Sequence, residues 1–214
     1  MKPDYWDRAV RALSRCDPVL YGLIAAYPEF HLRRRSDAFT ALARAIVGQQ
    51  ISVKAADAVW RRFVTAVDPA HAEVAFPEVA PAVVAALTPD TLRHAGLSQR
   101  KAEYMQDLAR RFADGTLNPA TWKTLADEAL IEALVTVKGI GRWTAEMFLM
   151  FHELRADVFP IADFGLQKAV RLHYAGEDDL SLDEMQALAE PWRPYRSVAT
   201  WYLWRSLDPL PVEY

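Results

Sequence analysis

Residues 134–148 read LVTVKGIGRWTAEMF, and the way this stretch folds decides the architecture. An apolar helical run (Leu130, Ile131, Leu134, Val135) meets Gly139-Ile140-Gly141, and a second helical run begins at once. Two glycines separated by one apolar residue permit a tight turn between helices. The glycines can supply φ > 0, and Ile140 anchors the turn in the core. Backbone amides that open the second helix are then left without intrahelical partners and point outward at its positive dipole end. That is a phosphate site requiring neither Lys nor Arg. A bare Gly-x-Gly between helices is more often a simple cap. Here Thr144-Ala145 follows Gly141 and apolar positions fit on both sides, which favours the hairpin.

Outward from the hairpin, the chain reads as helix almost throughout. Phe39, Leu42, Ala43, Ile46 and Val47 share one helical face, as do Ala102, Met105, Leu108, Ala109 and Phe112, and more briefly Leu182, Met185, Leu188 and Ala189. Asp37 and Ser98 stand before the first two stripes, and Ser181 with Glu184 reads as a capping box before the third. Prolines divide the remainder into pieces of helical length, and no sustained two-residue alternation signals a sheet. The predicted class is all-α. Breaks are expected at HLRRRSD (31–37) and ELRADVFPIAD (153–163), neither of them long or Gly/Ser-rich enough for a flexible linker. If the chain forms two lobes they are packed together, and a cleft between packed lobes is a usual place for an active site.

The 214 residues, 52% hydrophobic and 25% charged, are ample for one large domain or two small ones and exclude dominant disorder. No apolar run approaches the ~18–20 residues of a membrane span, and MKPDYWDRAV lacks the apolar stretch of a signal peptide. The expected setting is cytoplasmic, beside the nucleoid in a bacterium, with no membrane partner and a monomeric state. One cysteine, Cys16, excludes both an intrachain disulfide and a four-thiolate metal site. His31, His71, His94, His152 and His173 are scattered without metal-ligand spacing. Net charge is −3 but uneven: residues 1–110 carry 15 Lys/Arg and 12 Asp/Glu, leaving 25 − 15 = 10 and 28 − 12 = 16 for the rest. A partner held by bulk electrostatics would demand a more basic chain, so any nucleic-acid contact must be local and geometric.

The hairpin stretch is followed by DVFPIADFGLQKAV (157–170), and the chain also contains IVGQQIS (46–52), AGLSQRKAEYMQDLA (95–109) and WRPYRSVATWYLW (192–204). Together and in this order, they resemble the helix–hairpin–helix DNA glycosylase superfamily, closest to its 3-methyladenine DNA glycosylase II branch. The likeness runs from about residue 37 to 204. It implies a helical barrel lobe at 38–155 and a second lobe of 1–37 plus 156–214, without the N-terminal β domain of larger bacterial members or the iron–sulfur cysteine quartet of other branches.

Asp163 occupies the place of the family's catalytic aspartate. Breaking an N-glycosidic bond builds positive charge on the sugar, which a fixed carboxylate stabilises while orienting water. The bland role of Asp163, helix N-cap, coexists with this; Asp157 is the nearest rival and fits the motif less well. Trp143 stands where bifunctional members carry a lysine nucleophile, implying base release without backbone cleavage. The resemblance also places Trp143, Trp204 and Met147 at the base pocket, where an indole face attracts a cationic purine by roughly 0.5–2 kcal/mol. Gln50 takes the wedge position that fills the gap left by a flipped nucleotide, although a polar helix junction is its plainer reading. Ser52, Lys54, Lys138, Gly139, Gly141, Arg142, Thr144, Arg100 and Lys101 lie in or near the DNA-contacting motifs, while Arg33-Arg34-Arg35 reads as a solvated run. No cofactor is implied beyond a structural monovalent cation on the carbonyls of Val135, Val137 and Ile140. The implied partner is double-stranded DNA with damaged bases, alkylated purines first. Deaminated or oxidised purines and a non-catalytic DNA-binding module are the alternatives.

Overall fold

The computed structural model describes residues 2–34, 36–71, 74, 77–176 and 179–208. Arg35 and the side chain of His71 lie outside the described set. Among the described residues there is no strand. The helices are α1 (Trp6–Cys16), α2 (Pro18–Ala26), α3 (Ala38–Gly48), α4 (Val53–Val67), α5 (Pro81–Ala86), α6 (Pro89–His94) and α7 (Gln99–Ala113). They continue with α8 (Pro119–Trp122), α9 (Asp127–Val135), α10 (Arg142–Phe151), α11 (Phe164–Tyr174), α12 (Leu182–Leu188) and α13 (Arg196–Leu207). None of these helices is long and apolar enough to cross a membrane.

The expected caps are in place. Asp37 accepts from the Thr40 amide at 3.0 Å, Ser98 from Lys101 at 3.3 Å, and Ser181 with Glu184 closes a reciprocal box. Each satisfies an amide that the first turn of a helix leaves without a partner, worth about 1 kcal/mol. Prolines open α2, α5, α6 and α8, where the missing N–H costs nothing.

The chain divides into two compact units, 35–148 and the flanking segments up to Arg34 and from Leu149. The second break falls within α10 rather than after 155, because Phe151 and Leu154 pack onto the core of the flanking segments. Unit 35–148 is built on the buried faces of α3, α4, α7 and α9. A run of edge-to-face rings, Phe39–Phe112–Trp122–Phe148 at 5.4, 5.9 and 5.6 Å, threads its core. The other unit centres on α13, buried on nearly every side, with Trp6, Leu166 and Trp192 around it. Its keystone is Asp17, a buried carboxylate whose Oδ1 caps α2 and whose Oδ2 accepts from Tyr174 Oη and Trp192 Nε1, each at 2.9 Å. Four donors offset the desolvation of that charge, and burial together with Asp17 raises the Tyr174 pKa far above its usual value.

Candidate active site

The segment Phe159–Asp163 turns tightly, with the Asp163 amide donating to Pro160 O at 2.8 Å, and Asp163 then caps α11. Its Oδ1 accepts from the Leu166 amide at 2.6 Å and from Trp204 Nε1 at 2.9 Å. These two neutral donors fix the orientation of the carboxylate. The Trp204 ring is held in turn by Phe151, stacked at 6.0 Å and 10°. Gly165 makes this arrangement possible: a Cβ there would lie 3.1 Å from Asp163 Oδ1 and 3.5 Å from the Trp204 indole. Beside Asp163, Phe164 is 79% exposed. Neither Gly165 nor Phe164 stood out in the sequence, although a glycine in the first turn of a helix, at about 1 kcal/mol against alanine, is a readable signal.

Asp157 sits in a different environment. Its carboxylate takes Arg196 Nε at 2.8 Å and Arg193 Nη1 at 2.7 Å, so two guanidiniums neutralise it and bind it to the start of α13. It is a structural ion-pair partner.

In unit 35–148 the turn after α9 is closed by Val137 N to Leu134 O and Ile140 N to Val137 O, both 3.1 Å, with Ile140 buried as expected. Only Gly139 of the two glycines adopts positive φ (+81°). Gly141 has ordinary φ and open space around its Cβ position, so of the two glycines only Gly139 uses the freedom to take φ > 0. Gly139 is obligatory for a second reason, since a Cβ would penetrate the Tyr104 ring. Tyr104 is a half-buried support beneath the hairpin. Asp107 Oδ2 accepts the Lys138 amide at 3.0 Å, and Arg111 reaches Thr136 O at 3.0 Å. Tyr104, Asp107 and Arg111 share one face of α7, so a single helix props up the turn.

The first bond of α10 runs from Ala145 N to Gly141 O at 3.0 Å, so the hairpin glycine opens that helix. Trp143 is 41% exposed on its first turn, while Thr144 and Met147 are buried. The GQQIS loop is fastened to the hairpin by Gln49 Nε2 donating to Gly139 O at 2.8 Å. Gln50, next along, is exposed and held at φ +59°, a left-handed conformation that costs a non-glycine residue about 1–2 kcal/mol. Ser52 caps α4 by accepting from Ala55 N at 3.3 Å.

Of the expected phosphate-facing cations, Lys54 and Lys138 are exposed. Three others have their charge engaged within the protein. Lys101 Nζ donates to Val47 O and Gln49 O, each at 2.7 Å, closing the end of α3, and desolvation lowers its pKa. Arg142 is gripped by both oxygens of Glu128 at 2.6 and 2.7 Å and by Glu146 at 3.1 Å. Arg100 lies on the Tyr104 hydroxyl. Lys101 is thus a loop-positioning residue, and Arg142 is neutralised by its own carboxylates. No group of His, Cys, Asp and Glu among the described residues could hold a metal ion.

A sequence profile described as "HhH-GPD superfamily base excision DNA repair protein" matches residues 43–194. The chain belongs to the HhH-GPD superfamily. Within it, the chain is 37% identical over 171 residues to a putative DNA-3-methyladenine glycosylase of Bacillus subtilis, covering 79% of this chain and 59% of that relative. The chain thus spans under two thirds of that protein. It is 30% identical over 189 residues to DNA-3-methyladenine glycosylase 1 of Schizosaccharomyces pombe, covering 87% and 80% of the two chains. Among solved HhH-GPD structures, a DNA-3-methyladenine glycosidase from Bacillus halodurans aligns with a TM-score of 0.82 at 32% identity, over 94% of this chain and 89% of that one. The Schizosaccharomyces pombe 3-methyladenine DNA glycosylase in complex with abasic DNA aligns with a TM-score of 0.77 at 29% identity, over 96% and 100%.

Proposed function

We propose that this protein is a monofunctional DNA glycosylase of base excision repair, releasing alkylated purines of the 3-methyladenine and 7-methylguanine type from duplex DNA. The observation that carries this reading is Asp163, its Oδ1 fixed by the Leu166 amide and the Trp204 indole N–H. A DNA-binding module needs no oriented carboxylate, whereas an oxocarbenium-like transition state does. Asp157, bound by two arginines, is unsuited to that role.

In this reading the lesion nucleotide is extruded and Gln50, on its left-handed loop, fills the gap. The Gly139–Gly141 hairpin holds a backbone phosphate on its amides. In one unit Trp204 offers an aromatic face to a cationic purine; in the other, Trp143 and the adaptable Met147 are the proposed purine contacts. The scissile bond is the one between sugar and purine. As it breaks, its electron pair leaves with the base, already cationic and in need of no proton. Water oriented by Asp163 adds to the sugar and gives up a proton, producing the abasic site. The carbonyls of Val135, Val137 and Ile140 are oxygen donors of the kind a monovalent cation takes; Val137 O carries one hydrogen bond and keeps a second lone pair. Such a cation would add positive charge beside the bound phosphate.

Base release from methylated duplex, resolved by chromatography, tests the reading with wild type beside Asp163→Asn. Asparagine keeps the cap and loses the charge. Release of 3-methyladenine or 7-methylguanine by wild type alone supports it; equal release by both, or none by either, overturns it. Trapping of a covalent protein–DNA adduct with borohydride would overturn the monofunctional assignment.

A further inference from the structure

Lys54, Arg61 and Thr65 fall at i, i+7 and i+11 on α4, a single stripe along the helix. Arg61, Arg62 and Thr65 of α4, with Thr91, His94 and Ala95 at the end of α6, border an open groove of about 420 Å³. Its polar lining is two guanidiniums, two hydroxyls and an imidazole, with no carboxylate. Several other arginines are neutralised: Arg44 by Asp57, Arg93 by Asp90, Arg142 by Glu128, Arg193 by Glu190. Arg61 and Arg62 have no carboxylate partner among the described residues. Arg62 is also pre-positioned. Its Nε donates to Ala95 O at 3.2 Å, and its guanidinium lies over Gly96, where φ is +100° and a Cβ would come within 2.7 Å of Nη2.

We propose that this groove is a phosphodiester-backbone site, holding DNA on the flank of the position that Gln50 occupies. The proposal rests on the glycosylase reading. Guanidinium and hydroxyl donors are the mixture that phosphate oxygens take, and the stripe starts at Lys54, two residues beyond the GQQIS loop. Continuity with that loop favours nucleic acid over an acidic protein as the occupant. Seven residues of α-helix separate Lys54 from Arg61, roughly 10 Å. That is about three nucleotide steps at 3.4 Å per strand. The groove therefore adds contacts beyond the hairpin and sets how much undamaged duplex the protein requires beside a lesion.

The test is fluorescence-anisotropy binding to a duplex with a central tetrahydrofuran abasic analogue, across about 50–200 mM salt. Wild type, Arg61→Glu and Arg61→Lys are compared, with thermal melts to show each is folded and base release by wild type measured in parallel. Arg61→Glu is expected to weaken binding about tenfold and to remove about 1 from the log–log salt slope, with Arg61→Lys recovering most of both. Unchanged affinity and slope in folded Arg61→Glu, while wild type releases base, overturns the groove alone. A wild type that neither binds this duplex nor releases base overturns the glycosylase reading and the groove with it.

Discussion

At the scale of single residues, chemistry concentrates on one hydrogen bond, from Trp204 Nε1 to Asp163 Oδ1 at 2.9 Å. A bond from a neutral donor to a charged acceptor contributes about 1.5–3 kcal/mol. If it orients the carboxylate, Trp204→Phe keeps an aromatic ring beside Phe151 and loses the donor. Single-turnover base release should then fall roughly 10- to 100-fold, with Kd for abasic duplex little changed. A loss of binding to methylated duplex that exceeds the loss to abasic duplex would instead assign Trp204 to stacking on the base. Gly165→Ala should act in the same direction through crowding, since its methyl would meet Oδ1 at 3.1 Å. Gln50 gives the opposite pairing of effects. Its φ of +59° is strained for glutamine, so Gln50→Gly should stabilise the fold by about 1 kcal/mol in a denaturant melt while slowing base release, because the wedge is gone. Stability gained together with rate lost is how a strained functional residue behaves.

At the scale of elements, the hairpin and its support determine where the backbone amides point. Gly139→Ala is expected to lower stability by several kcal/mol, since alanine must enter φ +81° and displace the Tyr104 ring. Gly141→Ala, with ordinary φ and open space, should leave the melting temperature nearly unchanged. The Glu128–Arg142 pair links α9 to α10, and its hydrogen bonds lower the Glu128 pKa from the usual 4.5. A carboxylate with a depressed folded pKa contributes fully above its unfolded value and loses that contribution as pH falls through the folded one. Glu128→Gln should therefore flatten the acid limb of the stability curve below about pH 4.5 and leave its shape at neutral pH unchanged. These elements also show what the sequence made legible. Asp37, Ser98, Ser181 and the hairpin glycines act within four residues of their partners, so local spacing reveals them. Lys101 clamping Gln49, Tyr104 beneath Gly139, and Trp204 on Asp163 join residues 35 to 52 apart. Pairing across such distances is set by helix packing, which periodicity does not encode. That is why Lys101 and Arg142 read as free cations and Trp204 as a pocket wall only.

Across the whole molecule, the charge is arranged so that DNA binding cannot depend on a strong general field. Residues 35–148 hold 13 Lys/Arg and 13 Asp/Glu, and the remainder holds 25 − 13 = 12 and 28 − 13 = 15. The unit carrying the hairpin is therefore neutral overall, and under the proposed function its phosphate contacts would fall to backbone amides and a few side chains without carboxylate partners, Lys54, Lys138, Arg61 and Arg62 among them. Each neutralised phosphate contributes about 0.9 to the dependence of log K on log salt, whereas amide contacts displace few counterions. The slope for abasic duplex should then lie between about −2 and −4. A slope near −8 would mean that a broad cationic surface, absent from this charge distribution, does the binding. A slope within the expected range that is shallower by about one in Arg61→Glu, and unchanged in Arg142→Gln, would show which arginines face the DNA. Arg142, held by Glu128 and Glu146, would then be confirmed as part of the scaffold that aims the hairpin amides.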